Sequence, residues 1–333
     1  MAAAVRMTVP LIDLEPLAGA PAERQAVARA IDDACRDIGF FAVQNHGVPA
    51  DVADTAWDKA RAFFDLALAE RQAVAFPYAG YPYGYAAFAG ETLSLSLGHE
   101  APPDLKETFS IGPIGARPPG LGDDPDLDFH YAANLWPGAL PEMRPAWEAY
   151  YRVMGDLAAR LMQGFALALD LDTDFFADKI DHHSSALRAN HYPEPKAPPR
   201  PGQLRAGAHS DYGSLTILRQ EAAPGGLEIK GPDGAWHPVP HVADAFVINI
   251  GDLMARWTND RWVSTLHRVV NPPPDATGST RRQSLAFFHQ PNWDAVVECI
   301  PTCLALGGTP KYQPVGAGAH LMAKFRSTVG ADA

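Results

Sequence analysis

Residues 207–218 read Gly-Ala-His-Ser-Asp-Tyr-Gly-Ser-Leu-Thr-Ile-Leu: an imidazole and a carboxylate two positions apart, then a short apolar run. In an extended chain, residues i and i+2 point to one face. His209 and Asp211 would therefore aim at one point. The run Ser214–Leu218 is one of a series. Leu227–Lys230, Ala245–Ile250 and Ser284–His289 are also short and apolar, and Gly, Pro and Asp-Gly signals separate them. Such spacing predicts a β-sandwich or barrel between Ser185 and Glu298. Gly225-Gly226 and Asp233-Gly234 fit hairpin turns. The prolines of 195–201 and 272–274 mark loops, since proline cannot donate in a central strand.

Upstream the periodicity is helical. Val27, Ile31, Ala34 and Ile38 share a face in Pro21–Gly39, with Gly39 as the stop. Phe40–Gln44 reads as a short strand. Asp51–Leu68 is a second amphipathic helix with Trp57, Ala60, Phe64 and Leu68 on one face, and Pro141–Asp170 is a long helical pattern. Phe76–Pro125, rich in Gly, Pro and aromatics, is expected to be a long loop whose rings are candidates to line a pocket. The expected division is an N-terminal region (1–130), a long helical segment (131–180), the β core (181–300) and a C-terminal segment (301–333), all sharing one core.

Composition narrows the function. A chain of 333 residues, 47% hydrophobic, can bury a sizeable core. Its 27 Lys+Arg against 39 Asp+Glu leave a net charge of −12, a poor match for nucleic acid or an anionic membrane. No run approaches the ~20 apolar residues of a spanning helix, and Met1–Pro10 has no signal-peptide layout. A cytoplasmic location is expected. Cys35, Cys299 and Cys303 form no disulfide framework, and Cys299 and Cys303 lack the second pair a zinc site needs.

A bare His-x-Asp is a weak signal among twelve histidines. A third ligand must come from elsewhere, and His267, opening a β-branched run in Ser264–Val270, is the natural candidate. Two histidines and one carboxylate make the facial triad of non-haem iron(II) oxygenases. Arg282 and Ser284 share a face of a later strand. Arginine's planar fork fits a carboxylate bidentately and the serine hydroxyl adds a hydrogen bond, which suits the distal carboxylate of 2-oxoglutarate. Asn190 and Tyr192 repeat the i, i+2 spacing and can reach the same ligand.

These motifs in this order resemble the isopenicillin N synthase-like branch of the 2-oxoglutarate/Fe(II)-dependent oxygenases, over nearly the whole chain. Val9-Pro10-Leu11-Ile12-Asp13-Leu14, Gly39-Phe40-Phe41 and Asn45-His46-Gly47-Val48 are similar to the family's N-terminal region. Asp104–Gly112, Asn249-Ile250-Gly251-Asp252 and Trp257-Thr258-Asn259 are similar to its later signatures. The resemblance implies an α+β fold, mainly β at its core: a cupin-like double-stranded β-helix, or jelly roll, flanked by N-terminal and central helices. It implies His209, Asp211 and His267 as iron ligands and Arg282 and Ser284 as the pair holding the C5 carboxylate of 2-oxoglutarate. Asn190 and Tyr192 would contact the same co-substrate, with His191 between them facing away. It also implies O₂-dependent oxidation of a small molecule by hydroxylation, desaturation or cyclisation, with release of succinate and CO₂.

Layout nominates Arg188, Tyr212, Phe288, His289, Tyr85, Phe88, Glu91 and Thr92 as substrate contacts. Arg188 and Glu91 are the charged members that would read an amino-acid-like or carboxylate substrate. Four other readings stay open at this point: a same-fold oxidase independent of 2-oxoglutarate, an ethylene-forming variant, a zinc hydrolase, and a non-catalytic metal-binding jelly roll.

Overall fold

The computed structural model describes residues 8–78, 80–98 and 101–329, so residues 1–7 of the Met1–Pro10 stretch lie outside it. Its strands are β1 (Leu11–Asp13), β2 (Phe40–Gln44), β3 (Gly84–Ala86), β4 (Glu107–Ile111), β5 (Ala186–Tyr192), β6 (Ala206–His209), β7 (Leu215–Gln220), β8 (Gly226–Lys230), β9 (Trp236–Pro238), β10 (Phe246–Ile250), β11 (His267–Val270), β12 (Arg282–His289), β13 (Val296–Val297) and β14 (Val315–Gly316). Its helices are α1 (Pro21–Asp37), α2 (Ala50–Asp65), α3 (Leu68–Gln72), α4 (Pro125–His130), α5 (Met143–Ala168), α6 (Ala177–Ile180), α7 (Asp252–Trp257) and α8 (Ala317–Val329). No helix among the described residues is long and apolar enough to cross a membrane.

An eight-stranded sheet runs β1-β2-β10-β7-β12-β5-β4-β3, and a four-stranded sheet runs β6-β11-β8-β9. Together they form a jelly-roll core. Strand pleating gives the larger sheet two faces of different character. Leu187, Ile217, Ile248, Leu285 and Phe287 point outward and pack with α1, α2 and α5, in a cluster that draws on residues from Ile12 to Ala317. A smaller cluster, including Phe40, Leu227, Ile229 and Val247, brings residues of the two sheets together.

Gly39 follows α1 with φ 65°, and a Cβ there would lie 2.0 Å from the Val263 carbonyl. Only glycine lets the helix turn directly into β2 at that approach. Pro145 falls within the first turn of α5, where a backbone nitrogen has no intrahelical acceptor and its absence costs nothing.

Three expectations need correction. Gly225-Gly226 does not make a hairpin, because β7 pairs with β10 and β12 while β8 belongs to the other sheet. The glycines carry the chain across between sheets. Asp233-Gly234, by contrast, joins the antiparallel neighbours β8 and β9. The segment Phe76–Pro125 is not one loop, since β3 and β4 lie within it at the edge of the larger sheet. All five residues of β4 are buried, so the strand shows no polar–apolar alternation. The helix expected over Asp51–Leu68 stops at Asp65, and Leu68, half exposed, opens α3.

Trp147 anchors α5. It is fully buried, donates its indole N–H to the Ala56 carbonyl at 3.1 Å and sits edge-on to Phe109 at 5.3 Å. Trp147→Ala is expected to lower the unfolding free energy by about 3–5 kcal/mol, read as a shift in the urea midpoint.

Candidate active site

The two sheets enclose a cavity of about 240 Å³. At one wall, β6 and β11 pair antiparallel with His209 directly opposite His267. Their rings lie 4.3 Å apart. Asp211, just past the end of β6, brings Oδ1 to 3.9 Å from His209 Nε2 and 3.7 Å from His267 Nε2. The three donor atoms lie within 4.8 Å of one another.

Each donor is aimed by a second contact. His209 Nδ1–H donates to the Gly207 carbonyl at 2.8 Å, and His267 Nδ1–H to the Thr265 carbonyl at 3.1 Å. Both Nε2 lone pairs are thereby left for the centre. Asp211 Oδ2 accepts from Thr216 Oγ1 at 2.5 Å and Asn249 Nδ2 at 2.7 Å, which frees Oδ1. Burial, with His267 beside it, pushes the His209 imidazole down to about 3, so it stays neutral. Burial alone would raise Asp211, but His267, His209 and the two hydrogen bonds outweigh it and hold the carboxyl below its usual range. Two imidazoles and one carboxylate suit a divalent transition metal.

A second constellation lies on the floor. β12 and β5 place Arg282 opposite Tyr192 and Ser284 opposite Asn190. All four line the cavity. Arg282 is 2% exposed, yet its Nε has no hydrogen-bond partner. Among the described residues it makes no ion pair, and its Nη2 donates to the neutral Gln220 amide at 3.1 Å. A buried cation without a counter-charge is costly, and an anionic ligand answers that cost. Asn190 Nδ2 lies 3.4 Å from Ser284 Oγ. His191 points to the opposite face, where its Nε2 accepts from Arg281 Nε at 2.7 Å and its Nδ1–H donates to Glu107 at 2.7 Å.

The substrate nominees divide. Arg188, Tyr212 and Phe288 line the cavity; His289, Tyr85, Phe88, Glu91 and Thr92 do not. His289 follows Phe288 on β12 and faces the other way, where its Nδ1 meets Ser214 Oγ at 2.7 Å. Tyr85 is buried, with its hydroxyl donating to Glu107 at 2.5 Å. Phe88 stands 49% exposed outside the cavity. Thr92 precedes a 3₁₀ turn, Leu93–Leu97, and Leu93 reaches the wall instead. Glu91 lies behind Arg188, at 3.4 Å.

Sequence reasoning missed Thr216 and Asn249 as supports of Asp211, although Asn249 opens the motif Asn249-Ile250-Gly251-Asp252. It also missed Lys106 and the roof formed by Leu321, Met322 and Phe325 of α8. Nothing local marks a helix more than a hundred residues downstream of Asp211 as part of the same cavity.

Two family descriptions match the chain: "non-haem dioxygenase in morphine synthesis N-terminal" over residues 9–139 and "2OG-Fe(II) oxygenase superfamily" over residues 183–291. The chain is 32% identical over 322 residues to the validamycin A dioxygenase of Streptomyces hygroscopicus subsp. limoneus, covering 95% of this chain and 86% of that protein. It is 33% identical over 332 residues to the homoarginine-6-hydroxylase 2-ODD-233 of Oryza sativa subsp. japonica, covering 95% of this chain and 96% of that one. The crystal structure of a full-length Neurospora crassa protein in complex with alpha-KG, which is 2-oxoglutarate, superposes with a TM-score of 0.82 at 30% identity. That match covers 95% of both chains. The chain therefore belongs to the 2-oxoglutarate/Fe(II) oxygenase superfamily and is a dioxygenase that works with Fe(II), 2-oxoglutarate and O₂.

Proposed function

We propose that His209, Asp211 and His267 hold the Fe(II), that Arg282 and Ser284 with Asn190 and Tyr192 hold the 2-oxoglutarate, and that a small organic molecule is hydroxylated in the same cavity. The observation that carries this assignment is Arg282. It is a buried, ion-pair-free guanidinium on the floor of the cavity whose wall is the His-Asp-His cluster. A five-carbon dicarboxylate that meets the metal with one end brings its other carboxylate to such a group.

Once bound, the metal and co-substrate supply the oxidising power, as 2-oxoglutarate and O₂ give succinate and CO₂ and one oxygen atom goes to the substrate. The chain's own work is positional. The Gly207 and Thr265 carbonyls fix the two imidazoles, and Thr216 and Asn249 occupy the oxygen of Asp211 that is not offered to the centre. Arg282 and Ser284 would grip the far carboxylate as a planar fork and a hydroxyl. Leu218, Ala286 and Phe288 present apolar surface to the remaining space and exclude water. A small-molecule substrate is supported by relatives named for validamycin A and homoarginine, and hydroxylation by the latter's name.

Protein purified without oxygen and given Fe(II) and 2-oxoglutarate is expected to show a weak visible charge-transfer band, absent with Zn(II) and lost in His209→Ala. Iron binding without the band would favour an oxidase independent of 2-oxoglutarate and would reassign Arg282 to the substrate. Arg282→Ala removes a charge-assisted contact of about 1.5–3 kcal/mol. Half-saturation by 2-oxoglutarate should then need about 10–100-fold more co-substrate while Fe(II) still binds. Asn249→Ala leaves the ligands in place but loosens Asp211. A metal titration should find Fe(II) affinity reduced by about 10–100-fold, and unchanged affinity would remove Asn249 from the support.

A further inference from the structure

The cavity floor divides along two strands. Arg282–Tyr192 and Ser284–Asn190 face each other at one end, followed by Ala286–Arg188 and Phe288–Ala186. The first two rows belong to the proposed co-substrate site. We propose that the next two rows receive a small organic acid, with Arg188 taking the substrate's carboxylate and α8 covering its hydrocarbon body. This deepens the co-substrate reading and rests on it.

The charges at the wall point to an anion. Beyond Asp211 and Arg282, the charged residues lining the cavity, among those described, are Lys106 and Arg188. Both are cations. Their counter-charges stand behind the wall. Glu91 bridges them, 3.1 Å from Lys106 Nζ and 3.4 Å from Arg188 Nη1, without lining the cavity itself. Asp104 lies 3.8 Å from Lys106, and its two oxygens accept from the backbone N–H groups of Gly207 and Leu93. Two carboxylates, Glu91 and Asp104, thus stand behind two cations, Glu91 touching both, and it is the cations that present surface to the interior.

Arg188 is also aimed. Its Nε donates to Ser110 Oγ at 2.9 Å and its Nη1 to Glu91, which fixes the plane of the fork. Its Nη2 bonds no protein group among the described residues. A guanidinium already held in one orientation loses little freedom on pairing with a carboxylate. Lys106, tied to two carboxylates, adds positive potential rather than a free hand.

Much of the rest of this half is apolar, with His130, Ser184 and Gln290 as polar members of the lining. Phe288 and Ala186 form the floor, and Leu321, Met322 and Phe325 of α8 form the roof. Phe325 is braced by Phe129 at 4.9 Å. Arg326 pairs with Asp126 and Lys324 with Asp252, so α8 is tied to α4 and to α7. A hydrocarbon body placed against these residues leaves water for a largely apolar recess, which favours binding in proportion to the area covered.

The test uses protein loaded with Fe(II) and saturating 2-oxoglutarate in the absence of oxygen. Phenylacetate and hexanoate are titrated by calorimetry against their neutral primary amides, phenylacetamide and hexanamide. The acids should bind about 10–100-fold more tightly than the amides, as expected for one charge-assisted contact. Arg188→Gln should abolish that preference, and Arg188→Lys should keep part of it. Phe325→Ala should weaken both series alike. Equal affinity for acids and amides, no binding of either, or a preference surviving in Arg188→Gln would each overturn the proposal. The charge-transfer band is recorded on the same samples. A band without acid preference counts against this proposal alone, whereas absence of the band from the wild type removes the co-substrate reading and this proposal with it.

Discussion

The two oxygens of Asp211 have different duties, and the site is organised around that division. Oδ2 is occupied by Thr216 from β7 and Asn249 from β10, both in the larger sheet. Oδ1 faces His209 and His267, from β6 and β11 of the smaller sheet. The carboxylate is therefore the point at which the two sheets meet chemically. Burying a carboxylate is expensive, and the register that delivers Thr216 and Asn249 to Oδ2 offsets part of that cost. The backbone shares the task. The Asp211 carbonyl accepts from Asp252 N–H at 2.7 Å, where α7 begins. At the same junction a Cβ on Gly251 would lie 2.2 Å from the Gly213 carbonyl, so this approach admits only glycine.

A second layer steadies β5 and β12 from behind. Glu107 on β4 is buried and accepts from Arg71, Tyr85 and His191. His191 in turn accepts from Arg281 and stacks on Phe64 at 4.8 Å. The same alternation that turns Asn190 and Tyr192 inward turns His191 outward into this network. The layer explains why Tyr85, an aromatic in a glycine-rich stretch, belongs to support rather than to the pocket. Its ring packs in the core and its hydroxyl satisfies a buried carboxylate.

What was legible in the sequence followed from the two-residue period of a strand. That rule puts His209 with Asp211, Arg282 with Ser284, and Asn190 with Tyr192 on shared faces, while the roles expected of them came from the conjunction of motifs and the family resemblance. The short apolar runs likewise marked β7, β8, β10 and β12 because their lengths and glycine boundaries are local signals. What stayed hidden depended on pairing. No local turn signal says whether the strands flanking Gly225-Gly226 share a sheet. Phe288 and His289 are adjacent, and the period that turns Arg282 and Ser284 inward selects Phe288, as the cavity lining shows. β4 is masked because its buried Glu107, Thr108 and Ser110 find polar partners rather than exposure, which erases the expected pattern. The roof from α8 is set by packing alone.

The division of β12 and β5 into successive rows has a consequence for how such a framework changes over generations. The Ala286–Arg188 and Phe288–Ala186 rows are separate residue pairs from the Arg282–Tyr192 and Ser284–Asn190 rows. On the proposed assignment, new substrate preferences are reachable by single codon changes at the far rows that leave the co-substrate rows intact. An insertion of one residue within β12 has the opposite character. It would turn Gln283, Leu285 and Phe287 inward and send Arg282 or its successors into the helix-facing core. Lineages built on this plan should accordingly diverge at the far rows by substitution, and confine changes of length to the loops between strands.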